Sequence, residues 1–311
     1  MSESQQGGGG PWTAERIERL DGRTFVVTGA NSGLGYETAR QLAGHGASVV
    51  MGVRDEAKGR AAAEAIRAEF PDADLRARHL DLADLDSVIG FAAGVSTVDV
   101  LVNNAGVMMP PRTMTKQGHE LQFGVNHLAH FALTGLLLDK LANSTAPRVV
   151  TVSSALHKRG RVHFDDLTGE RDYSRTGFYA QSKLANVVFG LELHRRLRVN
   201  GFDMRSVLAH PGYTATNLQS AGPTGPLKMV LRVSNRLMAQ SVEMGALPQL
   251  YAATHPDVDS GQFIGPDGRN ESSGYPTVVE PLDDARDREL AKRLWDVSEE
   301  ATGVYFDLAP R

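Results

Sequence analysis

The chain has 311 residues, of which 41% are hydrophobic, and its formal net charge at pH 7 is −4. This length suits one large α/β domain, and the mild negative charge gives no basic surface for nucleic acid or an acidic membrane. The sequence contains no cysteine, which excludes disulfides, zinc–thiolate sites and thiol nucleophiles. We therefore expect a globular protein that acts on a small molecule and has no nucleic-acid partner.

The N-terminal segment is polar and rich in glycine, and it lacks the basic and apolar regions of a signal peptide. We expect a disordered segment over residues 1–13 and one domain over residues 14–311. The most apolar helical stretch, residues 131–141, contains Asp139 and Lys140 and is too short to span a bilayer. The sequence therefore predicts no membrane span and a cytoplasmic location.

From Thr24 onward, short valine-rich runs alternate with longer stretches of helical spacing. Strands buried on both faces read as continuous apolar runs, so the alternation predicts an α/β fold with a single doubly wound, Rossmann-type parallel sheet and helices on both faces. The predicted strands span residues 24–30, 47–53, 74–82, 98–106, 147–154 and 203–212. The predicted helices span residues 32–46, 56–70, 84–94, 118–142 and 178–198.

Residues 213–245 interrupt this alternation with glycine, proline and an apolar helical segment at 226–238. A small lid over a hydrophobic substrate would have this composition. A helix that simply packs on the core would have it too, and the two interpretations fit equally well.

The segment TGANSGLG places three glycines between the first predicted strand and the first predicted helix. Glycine allows a tight turn and close approach of the backbone to a pyrophosphate, whose charge then faces the helix N-terminus. An ordinary strand-to-helix turn would also use glycine, so the strand–turn–helix context carries the interpretation. We predict a dinucleotide site that includes Gly29, Asn31, Ser32, Gly33, Leu34 and Gly35.

Arg54 ends the second predicted strand, about twenty residues after the glycine loop. A carboxylate at this place favours a ribose with free hydroxyls, whereas an arginine accommodates a 2′-phosphate. Asp55 comes one position later and is expected to point away. Arg54 thus favours NADP(H), with NAD(H) as the alternative; a solvated arginine paired with its neighbour is the plainer interpretation.

Tyr179 and Lys183 lie four residues apart in a predicted helix, so both project from one face. An ammonium about 5 Å from a phenol, at an effective dielectric constant near 20, is worth roughly 3 kcal/mol and would lower the pKa of Tyr179 by about two. Ser153 and Ser154 end a predicted strand, at the sheet edge where open α/β folds bind ligands. This set suits proton transfer to and from an alcohol oxygen, although two surface residues on a helix would show the same spacing.

The remaining candidate residues give weaker evidence for a catalytic or metal-binding role. The histidines show no metal-like spacing with carboxylates, so we predict no metal site. A serine hydrolase would need a G-x-S-x-G turn, which does not surround Ser154. Asn126 is a polar residue on an otherwise apolar predicted helix, where a hydrogen-bonded core amide and a functional amide are equally consistent with the pattern.

These motifs occur in the order found in the short-chain dehydrogenase/reductase family, which the chain resembles from about Arg23 to Gly303. The segments MGVRDEAKG, FGVNHLAHFALTGLLL, SSALHKRGRVHFDDL and YAQSKLAN are most similar to its retinol-dehydrogenase-like and protochlorophyllide-reductase-like branch. Other matched segments are the glycine loop, LDL at 80–82, NNAG at 103–106, and HPG at 210–212 with Thr216.

The resemblance implies a role for each matched residue. Tyr179 would exchange the substrate proton, and Ser154 would hydrogen-bond the substrate oxygen, with the adjacent Ser153 leaving the choice of serine open. Lys183 would bind the nicotinamide ribose and lower the pKa of Tyr179, while Asn126 would position a water in a proton relay from Lys183. The further cofactor contacts implied are Asp81, Leu82, Asn104, Ala105, Gly106, Pro211, Gly212, Thr214 and Thr216, with Pro211 and Gly212 facing the nicotinamide carboxamide.

The implied function is an NADP(H)-dependent oxidoreductase that transfers a hydride between nicotinamide and the carbonyl or alcohol carbon of a lipophilic substrate. Many NADP-using relatives carry a basic residue in the glycine loop; here it is Asn31, so the cofactor preference rests on Arg54. A catalytically silent dinucleotide-sensing protein of the same fold is the alternative, and the intact Asn-Ser-Tyr-Lys set argues against it. Subunits of this family often associate through the helices that correspond to residues 118–142 and 178–198. The resemblance therefore allows a homodimer or a homotetramer.

Overall fold

The computed structural model describes residues 10–213 and 240–308. Within these residues, eight strands form one sheet in the order β3-β2-β1-β4-β5-β6-β7-β8, and neighbouring strands are parallel except for β7 and β8. The strands are β1 Thr24–Thr28, β2 Ser48–Val53, β3 Leu75–His79, β4 Val100–Asn103, β5 Arg148–Val152, β6 Arg205–Ala209, β7 Phe263–Pro266 and β8 Pro276–Val279. The predicted doubly wound Rossmann-type sheet is confirmed.

Helices cover both faces of the sheet, which is why the central strands are apolar on both sides. The helices are α1 Gly33–Gly44, α2 Glu56–Glu69, α3 Leu85–Gly94, α4 with its parts Leu121–Phe123, Gly124–Leu128 and Ala129–Ala142, α5 Arg175–Val199, α6 Val242–Thr254 and α7 Arg288–Thr302. Helices α1, α2 and α6 contribute to the hydrophobic cluster on one face, and α3, α4 and α5 to the cluster on the other. Phe25, Val26 and Val27 of β1 are fully buried between these layers.

Helix α4 is not regular along its length. The sequence predicts a continuous helix over 118–142, but the helix begins at Leu121 and contains a π turn over Gly124–Leu128. Asn126 lies in this turn and is fully buried. Single π turns inside α-helices occur frequently at functional sites.

The C-terminal part of the fold was not predicted from the sequence. Strands β7 and β8 have four residues each and are bounded by glycine and proline, so they show little periodicity. Strand β8 also runs antiparallel to β7, which adds an antiparallel edge to the predicted parallel sheet. Helices α6 and α7 were likewise missed, although α7 has a clear apolar face that buries Leu294 and Trp295.

Helix α7 and the segment that follows it cover the outer side of α4 and α5. Trp295 is 2% exposed and its ring lies 5.1 Å from that of Phe131 on α4 and 5.8 Å from that of Phe189 on α5. Phe306 extends this cluster, with its ring 4.8 Å from that of Phe131. The C-terminal segment of the chain is therefore packed against both α4 and α5.

The N-terminal segment and the predicted lid are the parts of the chain where the structure differs from the sequence prediction or does not describe it. Trp12 is buried and its ring packs 5.1 Å from that of Tyr251, so the predicted disordered segment 1–13 extends too far; burial of the large indole surface orders the chain there. Most of the predicted lid, including Thr214, Thr216 and the segment 226–238, lies outside the described residues. Among the residues described, the structure has no helix long and apolar enough to cross a membrane.

Candidate active site

A cavity of about 1110 Å³ lies at the carboxyl ends of the central strands. In an open α/β sheet this edge is where ligands bind. The predicted site residues in its wall are Gly29, Asn31, Ser32, Gly33, Leu34, Gly35, Arg54, Asp81, Leu82, Asn104, Ala105, Gly106, Ser154, Tyr179, Lys183, Pro211 and Gly212. Residues from separate parts of the chain are thus brought together around one space.

The glycine turn forms one end of this cavity. Gly29 and Gly33 have φ of +68° and +54°, a region that favours glycine, and a Cβ on Gly35 would lie 2.4 Å from the Gly29 carbonyl oxygen. Helix α1 begins at Gly33. Among the residues that the structure describes, the side chain of Ser32 accepts no hydrogen bond from the backbone N–H groups in the first turn of this helix. An N-terminus lined with backbone N–H groups in a cavity can bind an anion, so the turn fits the pyrophosphate of a dinucleotide.

The charged residues after β2 lie at the same end of the cavity. Arg54, Asp55 and Lys58 all line it, and all three are exposed. The Asp55 carboxylate caps α2 by accepting from the Lys58 backbone N–H at 3.1 Å, and it lies 3.4 Å from the Lys58 ammonium. The Asp55 carboxylate is thereby bound to the N-terminus of α2, while the cationic side chains of Arg54 and Lys58 lie beside the cavity.

Strands β1 and β4 are joined under the cavity by Thr28. Its hydroxyl oxygen accepts from the backbone N–H groups of Asn104 and Ala105, both at 2.9 Å. The His130 ring bridges from Thr28, at 2.9 Å through Nε2, to the Asn126 carbonyl oxygen, at 3.1 Å through Nδ1. Because a carbonyl can only accept, Nδ1 carries the proton and Nε2 accepts from Thr28.

Tyr179 and Lys183 project from α5 toward the end of β5. The Tyr179 side chain faces Ser154 across the cavity wall, and Ser154 caps the short 3₁₀ turn Ala155–Arg159. Ser153 points away from this pair, because its hydroxyl donates to the Lys183 carbonyl oxygen at 2.8 Å and is buried. The two adjacent serines therefore have different environments, and Ser154 is the one whose hydroxyl meets the phenol.

The predicted lowering of the Tyr179 pKa is wrong in this structure. Burial raises the pKa of Tyr179 to about 12, and the hydrogen bond with Ser154 opposes this rise. Burial also lowers the pKa of Lys183 to about 8. The Lys183 ammonium lies 5.9 Å from the Tyr179 ring centroid and donates to the Val152 carbonyl oxygen at 3.1 Å. The cost of burying a phenolate thus exceeds what this lysine supplies.

Asn126 lies behind the wall of the cavity. Its side-chain oxygen accepts from the Val107 N–H at 2.7 Å, and its side-chain nitrogen donates to the Val107 carbonyl at 3.0 Å and to the Ser182 hydroxyl at 2.9 Å. The side chain is therefore used to hold the segment after β4 against α5. Both amide hydrogens of Asn126 are used in these contacts, and its implied part in a proton relay remains a prediction.

Several residues that the sequence analysis did not identify also line the cavity. Met108 and Met109 follow the NNAG segment and, with other side chains, form an apolar wall. The remaining members of this wall are Val107, Leu121, Val125 and Leu156. Asn270, Glu271 and Ser272 line the cavity from the loop between β7 and β8; their glycine- and serine-rich surroundings signalled a turn but gave no sign of a site.

Met109 is held in an unusual conformation at this wall. Its φ is +53°, which is rare for a long side chain. Its N–H donates to the buried Gln122 side chain at 2.8 Å, and the Gln122 amide in turn donates to the Tyr173 hydroxyl at 3.1 Å. Tyr173, which is half-buried, donates to the Pro110 carbonyl at 3.0 Å, so polar side chains fix both ends of the Met109–Pro110 unit.

The chain is similar to characterised families along most of its length. A family model described as short chain dehydrogenase matches residues 23–224. Retinol dehydrogenase 14 of Mus musculus is 40% identical over 97% of this chain and 91% of the relative. Polyprenol dehydrogenase of Mus musculus is 42% identical over 91% of this chain and 84% of the relative.

Solved structures agree with this placement. The crystal structure of an uncharacterized protein from Mycobacterium Paratuberculosis has a TM-score of 0.82 and 44% identity, covering 96% of this chain and 99% of that chain. A short chain dehydrogenase from Shigella flexneri, complexed with NADP, has a TM-score of 0.61 and 24% identity, covering 80% and 98% of the two chains, and shows the shared fold. The chain belongs to the short-chain dehydrogenase/reductase family and to its retinol-dehydrogenase-like branch, as an NAD(P)-dependent oxidoreductase of alcohol and carbonyl groups.

Proposed function

We propose that this protein reduces a lipophilic aldehyde or ketone to its alcohol with NADPH, with Tyr179 as the proton donor. The observation that carries this proposal is that Ser154, Tyr179 and Lys183 line one wall of the same cavity as the glycine turn. The bound cofactor would supply the hydride, and the protein would position the carbonyl oxygen and protonate it. The catalytically silent alternative has no use for such a set.

The protonation state of Tyr179 fits its proposed role as the proton donor. With its pKa raised to about 12 by burial, the phenol is protonated at neutral pH and can donate to the oxygen of a carbonyl substrate. Ser154 would donate a second hydrogen bond to the same oxygen as negative charge develops there. Lys183, whose pKa is lowered to about 8, remains mostly charged at pH 7, and its charge would stabilise the phenolate left after proton transfer.

The cavity wall supports a lipophilic substrate. The residues Val107, Met108, Met109, Leu121, Val125 and Leu156 present apolar surface next to the Ser154–Tyr179 pair. Methionine is unbranched and polarisable, so the two methionines can adapt to chains of different shape. The names of the relatives refer to retinol and polyprenol, which are both apolar isoprenoid alcohols.

The preference for NADPH over NADH rests on Arg54 and Lys58. Both cations lie beside the cavity after β2, where a 2′-phosphate would be placed if the pyrophosphate lies on the glycine turn. The Asp55 carboxylate is engaged with the N-terminus of α2 and with Lys58, so it is poorly placed to accept from a free ribose hydroxyl. The predicted cytoplasmic location remains a prediction.

The test is NADPH oxidation with a panel of aldehydes and ketones of increasing chain length, compared between wild type and two variants. Tyr179→Phe removes the proton donor and should lower kcat by about 10²- to 10⁴-fold, with little change in the Kd for NADPH. Tyr251→Phe is the matched control, because Tyr251 packs on Trp12 and does not line the cavity. Normal turnover in Tyr179→Phe would contradict the mechanism.

A further inference from the structure

The loop between β7 and β8 has an unusual backbone where it meets the cavity. Asn270 and Glu271 both have φ of +54°. Asparagine tolerates this left-handed region, but glutamate rarely adopts it unless the surrounding structure imposes it. Both residues line the cavity together with Ser272. Backbone strain of this kind is concentrated at functional sites.

The Glu271 carboxylate joins two other walls of the cavity. One oxygen accepts from Nε2 of His210 at 3.0 Å, and the other accepts from the Lys158 ammonium at 2.6 Å. His210 is fully buried, and its Nδ1 accepts from the Gly212 N–H at 3.3 Å, which places the proton on Nε2. The hydrogen bond from His210, followed by that from Lys158, lowers the pKa of Glu271 to about 2.

The loop also contacts the Pro211–Gly212 turn through the backbone. The Tyr213 N–H donates to the Ser272 carbonyl oxygen at 2.7 Å. A Cβ on Gly212, whose φ is +65°, would lie 2.5 Å from that same oxygen, so only glycine lets the two segments approach this closely. The turn after β6 is therefore packed directly against the loop that carries Glu271.

Lys158 brings the third segment into this arrangement. It belongs to the 3₁₀ turn Ala155–Arg159, which is capped by the Ser154 side chain. The neighbouring His157 donates from Nδ1 to the Ser154 carbonyl at 2.7 Å, while its Nε2 accepts from the Leu282 N–H at 3.2 Å. The segment that presents Ser154 is thus attached to the C-terminal part of the chain at two points.

We propose that Glu271 is a positioning residue that fixes the Pro211–Gly212 turn and the Ser154 segment relative to each other. This inference rests on the proposed function, in which Ser154 binds the substrate oxygen, and on the predicted placement of the Pro211–Gly212 turn at the nicotinamide end of the cofactor. Glu271 itself would transfer no proton; it would set the separation between the hydride donor and the carbonyl. A misplacement of about 1 Å at this separation can lower a rate by about 100-fold.

Glu271→Ala and Glu271→Gln test this role. In Glu271→Ala, we expect faster hydrogen exchange at the Gly212 and Tyr213 amides without cofactor. We also expect kcat to fall by about 10- to 100-fold, while the Kd for NADPH changes less than about 5-fold because its phosphates bind at the other end of the cavity. Glu271→Gln keeps an acceptor for His210 but loses the charge that attracts Lys158, so it should recover part of the exchange protection and of kcat.

Glu280→Ala is the matched control, because Glu280 is an exposed carboxylate on the same C-terminal segment, is paired with Arg286, and does not line the cavity. The inference is overturned if folded Glu271→Ala exchanges and turns over like wild type, or if Glu280→Ala shows the same losses. The exchange measurement needs no substrate. It therefore still tests Glu271 if wild type reduces no carbonyl compound, a result that would instead overturn the proposed function.

Discussion

Ser153 and Ser154 are neighbours in sequence but face different groups. The Ser154 hydroxyl meets Tyr179 in the cavity, whereas the Ser153 hydroxyl donates to the Lys183 carbonyl inside the protein. Ser154→Ala should lower kcat by about 10²- to 10³-fold with little effect on stability, as loss of one oxyanion donor does in other enzymes. Ser153→Ala should cost about 1 kcal/mol of unfolding free energy and retain most activity. Steady-state kinetics and urea unfolding of both variants check this, and reversed results would exchange the roles.

The cofactor preference is also decided by single residues. Arg54→Ala should weaken NADPH binding by about 1.5–3 kcal/mol, the usual size of a charged hydrogen bond, and should leave NADH binding nearly unchanged. Arg60→Ala is the control, since Arg60 lies on α2, the helix that follows Arg54, pairs with Glu56 and does not line the cavity. Fluorescence titrations with both cofactors measure the effect. Equal losses for NADPH and NADH would remove the proposed 2′-phosphate contact.

Residue patterns in the sequence predicted the components of the site better than their energetics. The glycine spacing and the four-residue interval from Tyr179 to Lys183 are local signals, and the structure places both on one cavity. The raised pKa of Tyr179 depends on burial by distant segments, which spacing does not reveal. The bond between His210 and Glu271 joins residues 61 positions apart, and nothing in either local sequence indicates it.

Among the elements, valine-rich strands and well-separated helices were predictable because their periodicity is local. Strands β7 and β8 are too short to show periodicity, and the π turn around Asn126 leaves the helical apolar pattern of α4 unbroken. The packing of α7 on α4 and α5 could not be predicted either. It depends on which of several apolar helix faces meet in three dimensions.

Helix α7 should contribute strongly to stability through Trp295. The side chain is 2% exposed, packs on Phe131, and has the Arg196 guanidinium 4.1 Å above its ring. Trp295→Ala should therefore lower the unfolding free energy by about 3–5 kcal/mol, as expected for removal of a large buried ring. Tyr305→Ala, at a 70% exposed position, should change it by less than about 0.5 kcal/mol. Urea unfolding measures both, and similar values would contradict the packing described.

At the scale of the whole molecule, buried histidines predict sensitivity to acid. Burial lowers the pKa of His127 to about 3 and those of His130 and His157 to about 4. Between pH 6.5 and about 4, the unfolded chain therefore binds protons at these positions that the folded chain does not. Their contribution to stability is complete above pH 6.5 and is lost as the pH falls toward 4.

Unfolding in urea at pH 7.5 and pH 5.5 tests this dependence. We expect the unfolding free energy to fall by a few kcal/mol at pH 5.5, or about 1 kcal/mol for each histidine. His127→Gln should reduce the difference between the two pH values by about 1 kcal/mol. Equal stability at both pH values would show that these rings are not buried in their neutral form.

Gly135 on α4 is the point where the C-terminal segment packs closely against this helix. A methyl group there would come within 2.7 Å of Val304 and 2.9 Å of Phe306. Alanine would ordinarily favour a helix over glycine by about 1 kcal/mol, so α4 gives up intrinsic helicity to make a notch for a distant segment. That notch lies about two and a half turns beyond Asn126 on the same helix. Replacement of Gly135 by alanine would therefore displace the C-terminal segment or shift α4, the helix that also borders the cavity.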